Sequence, residues 1–444
     1  MTIFITIQLI YRYIVAWIKG YDVLSIQDTL CLYDSDDAVC NCATILILEK
    51  LTFDEIKSQY VERVMKKLKR MRQKVITYGG DHYFEEIPIE EAAELVHLRK
   101  EQIHSEDELC RFMEQVLPIR MPYNKPLWEV HVFPDFKENE SALIMKVHHA
   151  MGDGLSGQFI AMATSDEYDP DNSPHIRDVP EYQQILLYIL GFLKVPWVLL
   201  KNLMIVGQKN PLINQGHMSG VKLCEVSKDI IFDQVKQKCK ELNVTINDYF
   251  TSILSLTVFK YFDQNQFNTD FIYVSIPINI RFYKPQTVEE IQIYNKFSLE
   301  MISLPLENDF SSVLNKVHKL FEYVKHSSDY MASYLISLFL GTLVPYSLTH
   351  KIIFDVSKQV TLVFTNLPGP QNPLLYKGKK TKKAWVTFIP AGSCGISAAL
   401  YSHNGTLKLG LCADSAMMKN PEMFMRYFEE TLDESLEMKR KISH

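Results

Sequence analysis

The segment VHHAMGDG, Val147 to Gly154, brings together side chains that can move a proton. The sequence predicts a strand over 142–149, and successive side chains of a strand point to opposite faces. On one face, His149 lies beside three apolar side chains: Leu143, Met145 and Val147. His148 shares the other face with Ile144 and Lys146. An apolar environment disfavours protonated histidine, so His149 is predicted to stay neutral and accept a proton. We therefore predict His149 as the general base, with His148 and Asp153 completing the catalytic set.

The flanking residues suggest how such a base is held. Asp153 could fold back to brace the loop or pair with a distant cation. Gly152 and Gly154 would permit a sharp bend and let a ligand approach the main chain. The plainer interpretation is a core histidine in a strand that ends in an Asp-Gly turn. At this composition the pattern H-H-x-x-x-D-G is expected by chance in about one chain in a thousand of this length.

Other chemistries have weaker support in the sequence. It contains no HExxH motif, no P-loop and no GxGxxG motif. The nearest approach to a nucleophile elbow, Gly395 to Ala399, falls inside an apparent strand with no helix after it, so we interpret it as structural. The eight cysteines have neither metal-ligand spacing nor a disulfide pattern, which predicts free thiols in a reducing compartment and no metal site. A net charge of −6 argues against nucleic-acid binding.

The predicted elements indicate an α/β or α+β layered fold in two blocks, since 444 residues favour two domains. In the first block a capping box at Thr52 and Glu55 begins a helix predicted over 52–74, and another helix is predicted over 155–165. The second half is expected to alternate. Its predicted helices are 229–241, 245–263, 311–327 and 421–439, and its predicted strands are 270–280, 359–365, 384–389, 394–401 and 405–412. Asn404-Gly405 is a hairpin signal between the last two strands.

Two segments are unusually apolar. Residues 1–18 form a predicted helix with Gln8, Arg12 and Lys19 on one polar stripe. Because Arg12 at mid-bilayer would cost roughly 2.5–3.5 kcal/mol, lying in the membrane interface is favoured over spanning. The alternative is a helix that caps the domain core. Residues 185–206 contain Pro196 and two lysines on one face, which favours a kinked amphipathic segment.

Basic segments leave two interpretations open. The second half of the 52–74 helix and the predicted loop Lys377–Lys383 are rich in lysine and arginine. Each is either a solvated surface or a contact for CoA phosphates or anionic lipid head groups.

The motif resembles the active-site signature HHxxxDG of acyl-CoA-dependent acyltransferases built like chloramphenicol acetyltransferase, and of the related condensation domains. Further blocks narrow the resemblance to the wax ester synthase/diacylglycerol acyltransferase family over nearly the whole chain. These blocks are LSIQD (Leu24 to Asp28), NKPLWEVHVF (Asn124 to Phe133), VTINDYF (Val244 to Phe250), SIPINIR (Ser275 to Arg281) with Asn295 downstream, and FTNLPGP (Phe364 to Pro370).

The resemblance implies two chloramphenicol acetyltransferase-like halves with a tunnel between them. We expect a membrane-associating segment at 1–20, an N-terminal half at 21–182, an apolar crossover at 183–220 and a C-terminal half at 221–444. His149 would be the general base, without a covalent acyl-enzyme, and Asp153 would be structural and paired with Arg281. Gly152, Gly154, Asn247 and Asp248 would support the site, and the residues expected along the tunnel are Pro126, Leu127, Trp128 and Asn366.

The function implied is acyl transfer from acyl-CoA, a co-substrate and not a bound cofactor, to diacylglycerol, a long-chain alcohol or both. The partners would be these lipids and a membrane or lipid-droplet surface. We expect the protein on the endoplasmic reticulum or another intracellular membrane, with the active site facing the cytosol. Two alternatives stay open: transfer to another alcohol or amine, and a non-catalytic lipid-binding protein with the same fold.

Overall fold

Two large sheets form the centre of the protein, whose computed structural model describes residues 2–205, 209–213 and 216–438. The strands are β1 (Asp22–Val23), β2 (Asn41–Glu49), β3 (Gln73–Tyr78), β4 (Asp81–Glu86), β5 (Val96–Leu98), β6 (Trp128–Lys137), β7 (Glu140–His148), β8 (Lys222–Val226), β9 (Ile230–Ile231), β10 (Phe271–Asn279), β11 (Phe297–Pro305), β12 (Leu362–Pro368), β13 (Leu375–Tyr376), β14 (Lys379–Phe388), β15 (Ile396–His403) and β16 (Thr406–Asp414). The α-helices are α1 (Thr2–Lys19), α2 (Ile26–Leu30), α3 (Phe53–Gln59), α4 (Ile89–Ala93), α5 (Glu106–Val116), α6 (Gly154–Thr164), α7 (Glu181–Leu203), α8 (Phe232–Leu242), α9 (Ile246–Gln264), α10 (Phe310–His326), α11 (Asp329–Leu343), α12 (Tyr346–Ser357) and α13 (Pro421–Glu437).

The N-terminal sheet has the strand order β13-β14-β2-β7-β6-β5. Strand β7, which leads into the HHxxxDG motif, lies in its middle, with His148 opposite Asn41 of β2. On its other side β2 pairs with β14, where Phe388 lies opposite Cys42. A strand from the C-terminal part of the chain therefore completes the sheet that carries the motif.

The predicted lysine-rich loop at Lys377–Lys383 is mostly strand. Lys377 and Gly378 make a tight turn with φ of 50° and 73°, and β14 begins at Lys379. Lys382 pairs with Glu140 at 2.8 Å, and Lys383 pairs with Glu106 at 3.0 Å. The loop prediction was wrong because cross-strand pairing and acidic partners, all distant in sequence, set the conformation of this segment.

The C-terminal sheet has the order β11-β10-β12-β15-β16-β8, with β9 also beside β16. Strands β10, β12 and β15 are parallel to each other, and the other pairs are antiparallel. The predicted hairpin through Asn404-Gly405 is confirmed, with φ of 48° and 73°. Helices α9, α10 and α13, close to their predicted positions, pack with this sheet around one apolar core. The predicted last residue of α13, Lys439, lies outside the described residues.

The predicted helix over 52–74 is correct only in its first part. The capping box of Thr52 and Glu55 is present, but α3 passes into a π-helical segment at Tyr60–Met65 and the helical path stops there. A short 3-10 turn follows, and β3 starts at Gln73. Of the basic residues in the predicted helix, only Lys74 lies in β3, which pairs with β4; the others between residues 66 and 72 lie in the turn and the 3-10 segment.

Helix α1 packs on the small sheet β1-β4-β3, where Val15 and Ala16 contact Tyr83. Arg12 is buried and donates from Nη2 to the carbonyl of Leu24 at 2.8 Å. The predicted helix is therefore present, and it packs on the protein through the face that carries Arg12, as the capping alternative expects; whether its other face meets a membrane stays a prediction.

Candidate active site

The HHxxxDG loop is a short turn between a central strand and a helix. β7 ends at His148, residues 149–151 form a 3-10 turn, and α6 starts at Gly154. Asp153 is the N-cap of α6, where its Oδ1 accepts from the Ser156 backbone N–H at 3.0 Å. Since His149 lies in the turn, the alternation of strand side chains does not set the direction of its ring.

His148 is committed to structural hydrogen bonds. Its Nδ1 accepts from the Ala150 backbone N–H at 3.1 Å, so the ring proton is on Nε2, which lies 3.0 Å from Oδ2 of Asp34. Both side chains are almost fully buried. The other oxygen of Asp34 accepts from the Cys40 N–H at 2.8 Å. His148 therefore anchors the turn to the loop before β2.

His149 is fixed through hydrogen bonds of its backbone. Its N–H donates to the Cys40 carbonyl at 2.8 Å, and its carbonyl accepts from Nδ2 of Asn295 at 2.7 Å. Nδ1 of the ring lies 3.5 Å from Sγ of Cys31, and the ring centroid is 5.5 Å from that of Phe297. Burial lowers the pKa of His149 below its ordinary value of 6.5, although the charge of Asp153 opposes this. The imidazole is therefore neutral at pH 7 and able to act as a base.

The predicted ion pair between Asp153 and Arg281 is present. Nη1 of Arg281 lies 2.8 Å from Oδ1 and 2.6 Å from Oδ2 of Asp153, and both side chains are buried. Nη2 donates to Oγ of Ser156 at 3.0 Å and to the Tyr294 carbonyl. The backbone N–H of Lys296 also donates to Asp153, at 2.9 Å. Because Arg281 follows β10, this cluster ties the catalytic loop to the C-terminal half.

A second buried carboxylate supports His149 from the other side. Oδ1 of Asp28 accepts from both the backbone N–H and Nδ2 of Asn295, each at 2.8 Å. Asp28 also closes the capping box of α2 with Ser25, and Arg70 lies 3.7 Å away. Burial raises the pKa of Asp28, and Arg70 opposes that rise. The chain of contacts from Asp28 through Asn295 ends on the carbonyl of His149.

The motif glycines are needed for space and not for unusual backbone angles. Gly152 has an extended φ of 163°, and Gly154 is not among the residues with left-handed φ. A Cβ at Gly152 would lie 2.7 Å from Cβ of Ser156, and one at Gly154 would lie 2.7 Å from Cδ2 of Leu367. The expectation of a special bend was wrong; close packing against α6 and β12 excludes a side chain.

Two predicted support residues, Asn247 and Asp248, and one predicted tunnel residue, Asn366, lie away from the loop. Asp248 is buried in the capping box of α9 and faces Nδ1 of His318 on α10 at 2.9 Å. Asn247 is exposed and accepts from Nδ2 of Asn366 at 2.5 Å. This contact links α9 to β12 and brings the two asparagines together, as expected if both lie along one substrate path.

The PLWE block lies beside the active-site strand, where Trp128 is opposite Val147 of β7. Leu127 and Trp128 are fully buried in the core of the N-terminal half. The Trp128 indole donates to the Met71 carbonyl at 2.8 Å, and the Leu127 carbonyl accepts from the His148 N–H at 2.9 Å. Pro126 bridges to Lys74. Leu127 and Trp128 therefore position β7, and a tunnel beside them stays a prediction.

A cavity of about 120 Å³ adjoins the Asp153–Arg281 pair. Its lining is mainly polar and comes from α6, α7 and the segment after β10: Phe159, Gln184, Arg281, Phe282, Tyr283, Pro285, Glu290, Gln292, Tyr294 and Lys296. This is smaller than the roughly 300–1,000 Å³ of typical ligand pockets. The tunnel between the halves thus stays a prediction. Across the described ranges, no group of three His, Cys, Asp or Glu side chains is placed to hold a metal ion.

Cys31, Asp34 and Ser156 are the members of the site that sequence reasoning missed. None of them belongs to a motif with a chemical signal. Cys31 and Asp34 follow the LSIQD block within a few residues, and that proximity is the only available indication. Asn295 appeared in the resemblance without a role, which its contact with the His149 carbonyl now provides.

The chain matches two family models and several curated proteins. Residues 52–204 match the wax ester synthase/diacylglycerol acyltransferase catalytic domain, and residues 294–435 match the WS/DGAT C-terminal domain. A probable diacylglycerol O-acyltransferase of Mycobacterium tuberculosis is 22% identical over 354 residues, covering 74% of this chain and 75% of that protein. The O-acyltransferase WSD of Acinetobacter baylyi is 20% identical over 363 residues, covering 73% and 76%.

Solved structures show the same fold. The wax ester synthase/diacylglycerol acyltransferase from Marinobacter aquaeolei VT8 has a TM-score of 0.63 and 18% identity, covering 94% of this chain and 98% of that one. A starter condensation domain of rhizomide synthetase, in complex with C8-CoA and Leu-SNAC, has a TM-score of 0.60 and 12% identity, covering 95% of each chain. These likenesses confirm the predicted fold class. Since the two family models together cover about two thirds of the sequence, the chain belongs to the wax ester synthase/diacylglycerol acyltransferase family.

Proposed function

We propose that this protein transfers a fatty acyl group from acyl-CoA to the hydroxyl of diacylglycerol, of a long-chain alcohol, or of both. The main support for this proposal is His149 in the HHxxxDG turn, whose imidazole is neutral and whose backbone is held by hydrogen bonds. The family membership and the acyltransferase names of the relatives support the reaction class. The condensation-domain structure with C8-CoA supports acyl-CoA as the co-substrate, since that protein shares the fold.

The proposed reaction is a direct transfer with His149 as general base. Nδ1 faces Cys31, which leaves Nε2 to take the proton of the acceptor hydroxyl. As that oxygen attacks the thioester carbonyl, a C–O bond forms, and the C–S bond then breaks. His149 returns the proton to the leaving CoA thiolate. Atoms and charge balance without an acyl-enzyme or a metal ion.

The remaining members of the site act by positioning. Asp34 with His148 holds one end of the turn, and Asp28 with Asn295 holds the His149 carbonyl. Asp153 with Arg281 fixes the start of α6 against the C-terminal half. We place the substrate path between the halves, beside the Asn247–Asn366 contact. Buried ion pairs of this kind fix geometry more than they add stability.

We further propose that the enzyme works on the cytosolic side of the endoplasmic reticulum or another intracellular membrane, or on a lipid-droplet surface. Its acceptors would be lipids that reside there. Each of the eight cysteines is a free thiol, which fits a reducing compartment.

The test compares wild type with His149→Ala on membranes from cells that express the protein. Labelled palmitoyl-CoA is supplied with diacylglycerol or with hexadecanol, and His326→Ala, an exposed histidine on α10, is the matched control. Labelled neutral lipid from wild type and control, but not from His149→Ala, supports the proposal and identifies the acceptor. Equal product from all three proteins would refute the base. Product only with short alcohols or amines would refute the lipid acceptors.

A further inference from the structure

Helix α7 presents a large apolar face to solvent. Its exposed side chains include Ile189, Phe192, Leu193, Trp197, Leu200 and Leu203, with exposures between 50% and 82%. By length and composition α7 is able to cross a membrane. Its most apolar 18 residues have a mean hydropathy of 1.5, and only 11% of them are buried. Soluble monomers rarely expose a contiguous apolar surface of this kind, so another phase or molecule is expected to cover it.

The polar side of α7 faces the protein. Lys194 and Lys201, seven residues apart and on one helical face, both approach the buried Asp329 of α11, at 3.5 Å and 3.8 Å. Gly191 and Val198 are buried on the same side, and a Cβ at Gly191 would lie 2.6 Å from Cγ of Met331. The amphipathic pattern is therefore inverted compared with a helix on a water-soluble surface.

Helix α1 also exposes an apolar face. Arg12 is bound inside the protein and lies 3.8 Å from Asp81, while Val15 and Ala16 face the small sheet. Among its described side chains from residue 10 onward, the exposed ones are apolar or aromatic apart from Lys19 at the end of the helix, and Trp17 is 85% exposed. The four tryptophans of the chain thus divide evenly: Trp128 and Trp385 are fully buried, whereas Trp17 and Trp197 lie on the outward faces of α1 and α7.

We propose that the outward faces of α7 and α1 lie flat in one leaflet of a zwitterionic phospholipid membrane. The inference rests on the proposed function, because a lipid acceptor gives the protein a reason to contact this phase. Tryptophan is favoured at the boundary between head groups and acyl chains, where Trp17 and Trp197 would sit. Spanning is disfavoured because it would pull Lys194 and Lys201 away from Asp329, which is 2% exposed.

The charge distribution selects the kind of membrane. The lysines of α7 point inward, and the chain carries a net charge of −6. Attraction to anionic lipid is therefore not the source of binding; apolar burial is. Binding should occur on phosphatidylcholine alone and should resist high salt, because screening weakens charge-driven association only.

Helix α11 connects the apolar face of α7 to the elements that hold the catalytic loop. α11 lies against α7, and a Cβ at its Gly341 would lie 2.5 Å from Ile26 of α2. α2 carries Asp28, which holds Asn295 and through it His149. β11, also packed on α11, begins at Phe297 beside the His149 ring. A membrane in contact with α7 would therefore place lipid acceptors on the side of the protein where α2 and β11 contact the His149 turn.

The test is flotation of the full-length protein with phosphatidylcholine vesicles, at low salt and at about 1 M salt. Wild type should float under both conditions. The double variant Leu193→Glu with Leu200→Glu should lose about tenfold in vesicle binding, since both apolar contacts are replaced by charges. Ile119→Glu, an exposed apolar residue outside both helices, is the matched control and should float like wild type. All variants should keep the circular dichroism spectrum and the urea-unfolding midpoint of wild type, which shows that they fold.

Brominated lipids decide the depth. Bromine near the head groups should quench fluorescence, and Trp17→Phe and Trp197→Phe should each remove part of that quenching. Wild type that fails to float, an α7 variant that floats normally, or stronger quenching by bromine at the bilayer centre would overturn the proposal. So would a lipid-free dimer that the α7 substitutions dissociate, because a second copy would then cover the face. Failure of acyl transfer in every assay, with flotation intact, would refute the proposed function alone.

Discussion

Replacing Arg281 with methionine is the most direct test of how the two halves build the site. The substitution keeps an unbranched apolar stem but removes the two-oxygen contact with Asp153 and the donation to Ser156. Removing one partner of a buried ion pair costs about 3–5 kcal/mol. Asp153 would keep two backbone donors, from Ser156 and Lys296, so we expect the lower end, about 3 kcal/mol.

A double-mutant cycle separates the pair from its surroundings. Asp153→Asn removes the charge but leaves an oxygen that can still cap α6. The double variant should be less destabilised than the two single variants together, by about 2–3 kcal/mol, because the first change already breaks the contact. Acyl transfer should fall about 100-fold in each variant, since displacement of the turn by about 1 Å misaligns His149.

The assay is urea unfolding followed by tryptophan fluorescence, with activity measured on the same preparations. Arg111→Met is the matched control, because Arg111 makes three ion pairs on the surface, with Glu114, Glu225 and Glu422. We expect the control to lose less than about 1 kcal/mol and to keep its activity. The reasoning is refuted if Arg281→Met behaves like the control, or if the coupling energy is below about 0.5 kcal/mol.

Three further outcomes follow from burial and packing. Because burial lowers the pKa of His149 below 6.5, kcat/KM should stay level as the pH falls from 8 to 6.5 and decline below that; a decline that begins above pH 7 would contradict a neutral buried base. Burial also lowers the pKa of His403 to about 4. The contribution of the neutral, buried His403 to the free energy of unfolding is therefore complete above pH 6.5 and is lost as the pH falls from 6.5 through 4. This amounts to about 3 kcal/mol, and urea unfolding of His403→Gln at pH 7.5 and 4.5 should show a correspondingly smaller acid loss than wild type. Gly152→Ala should abolish most activity and cost about 1–3 kcal/mol in thermal or urea unfolding because its Cβ meets Ser156, whereas Gly157→Ala, with open space at its Cβ, should be neutral or slightly stabilising.

Local patterns predicted much of the secondary structure. The capping box at Thr52, the strand before His148 and the Asn404-Gly405 hairpin depend on neighbours in sequence, and all three are present. The ion pair of Asp153 with Arg281 was expected only from the resemblance, because nothing local relates positions so far apart. Its presence shows how family motifs supply contacts that periodicity cannot.

The predictions that were wrong depended on distant partners. The helix expected over 52–74 stops at Met65, a 3-10 turn follows, and its last two residues belong to β3, which pairs with β4. The lysine-rich segment expected as a loop is mostly strand because β14 pairs with β2 and its lysines form ion pairs with acidic side chains. The inward direction of Arg12 depends on the Leu24 carbonyl, which accepts from its guanidinium and is fixed only by the folded chain. Cys31 and Asp34 could not be assigned to the site, since only the folded chain brings them to the histidines.

The insertion of β14 between β13 and β2 has a consequence for biosynthesis. The ribosome releases β2 and β7 early. The edge of β2 that faces away from β7 pairs with β14, which is complete only when Phe388 has emerged. At about 5–20 residues per second, the sheet that carries the HHxxxDG turn waits for more than roughly ten seconds with an open edge. An open edge of this kind recruits other strands, so chaperones are expected to occupy it during translation. For the same reason, the N-terminal half produced alone would lack β13 and β14 of its sheet, and the C-terminal half would carry these strands without their partner β2; activity should return only when both are made together.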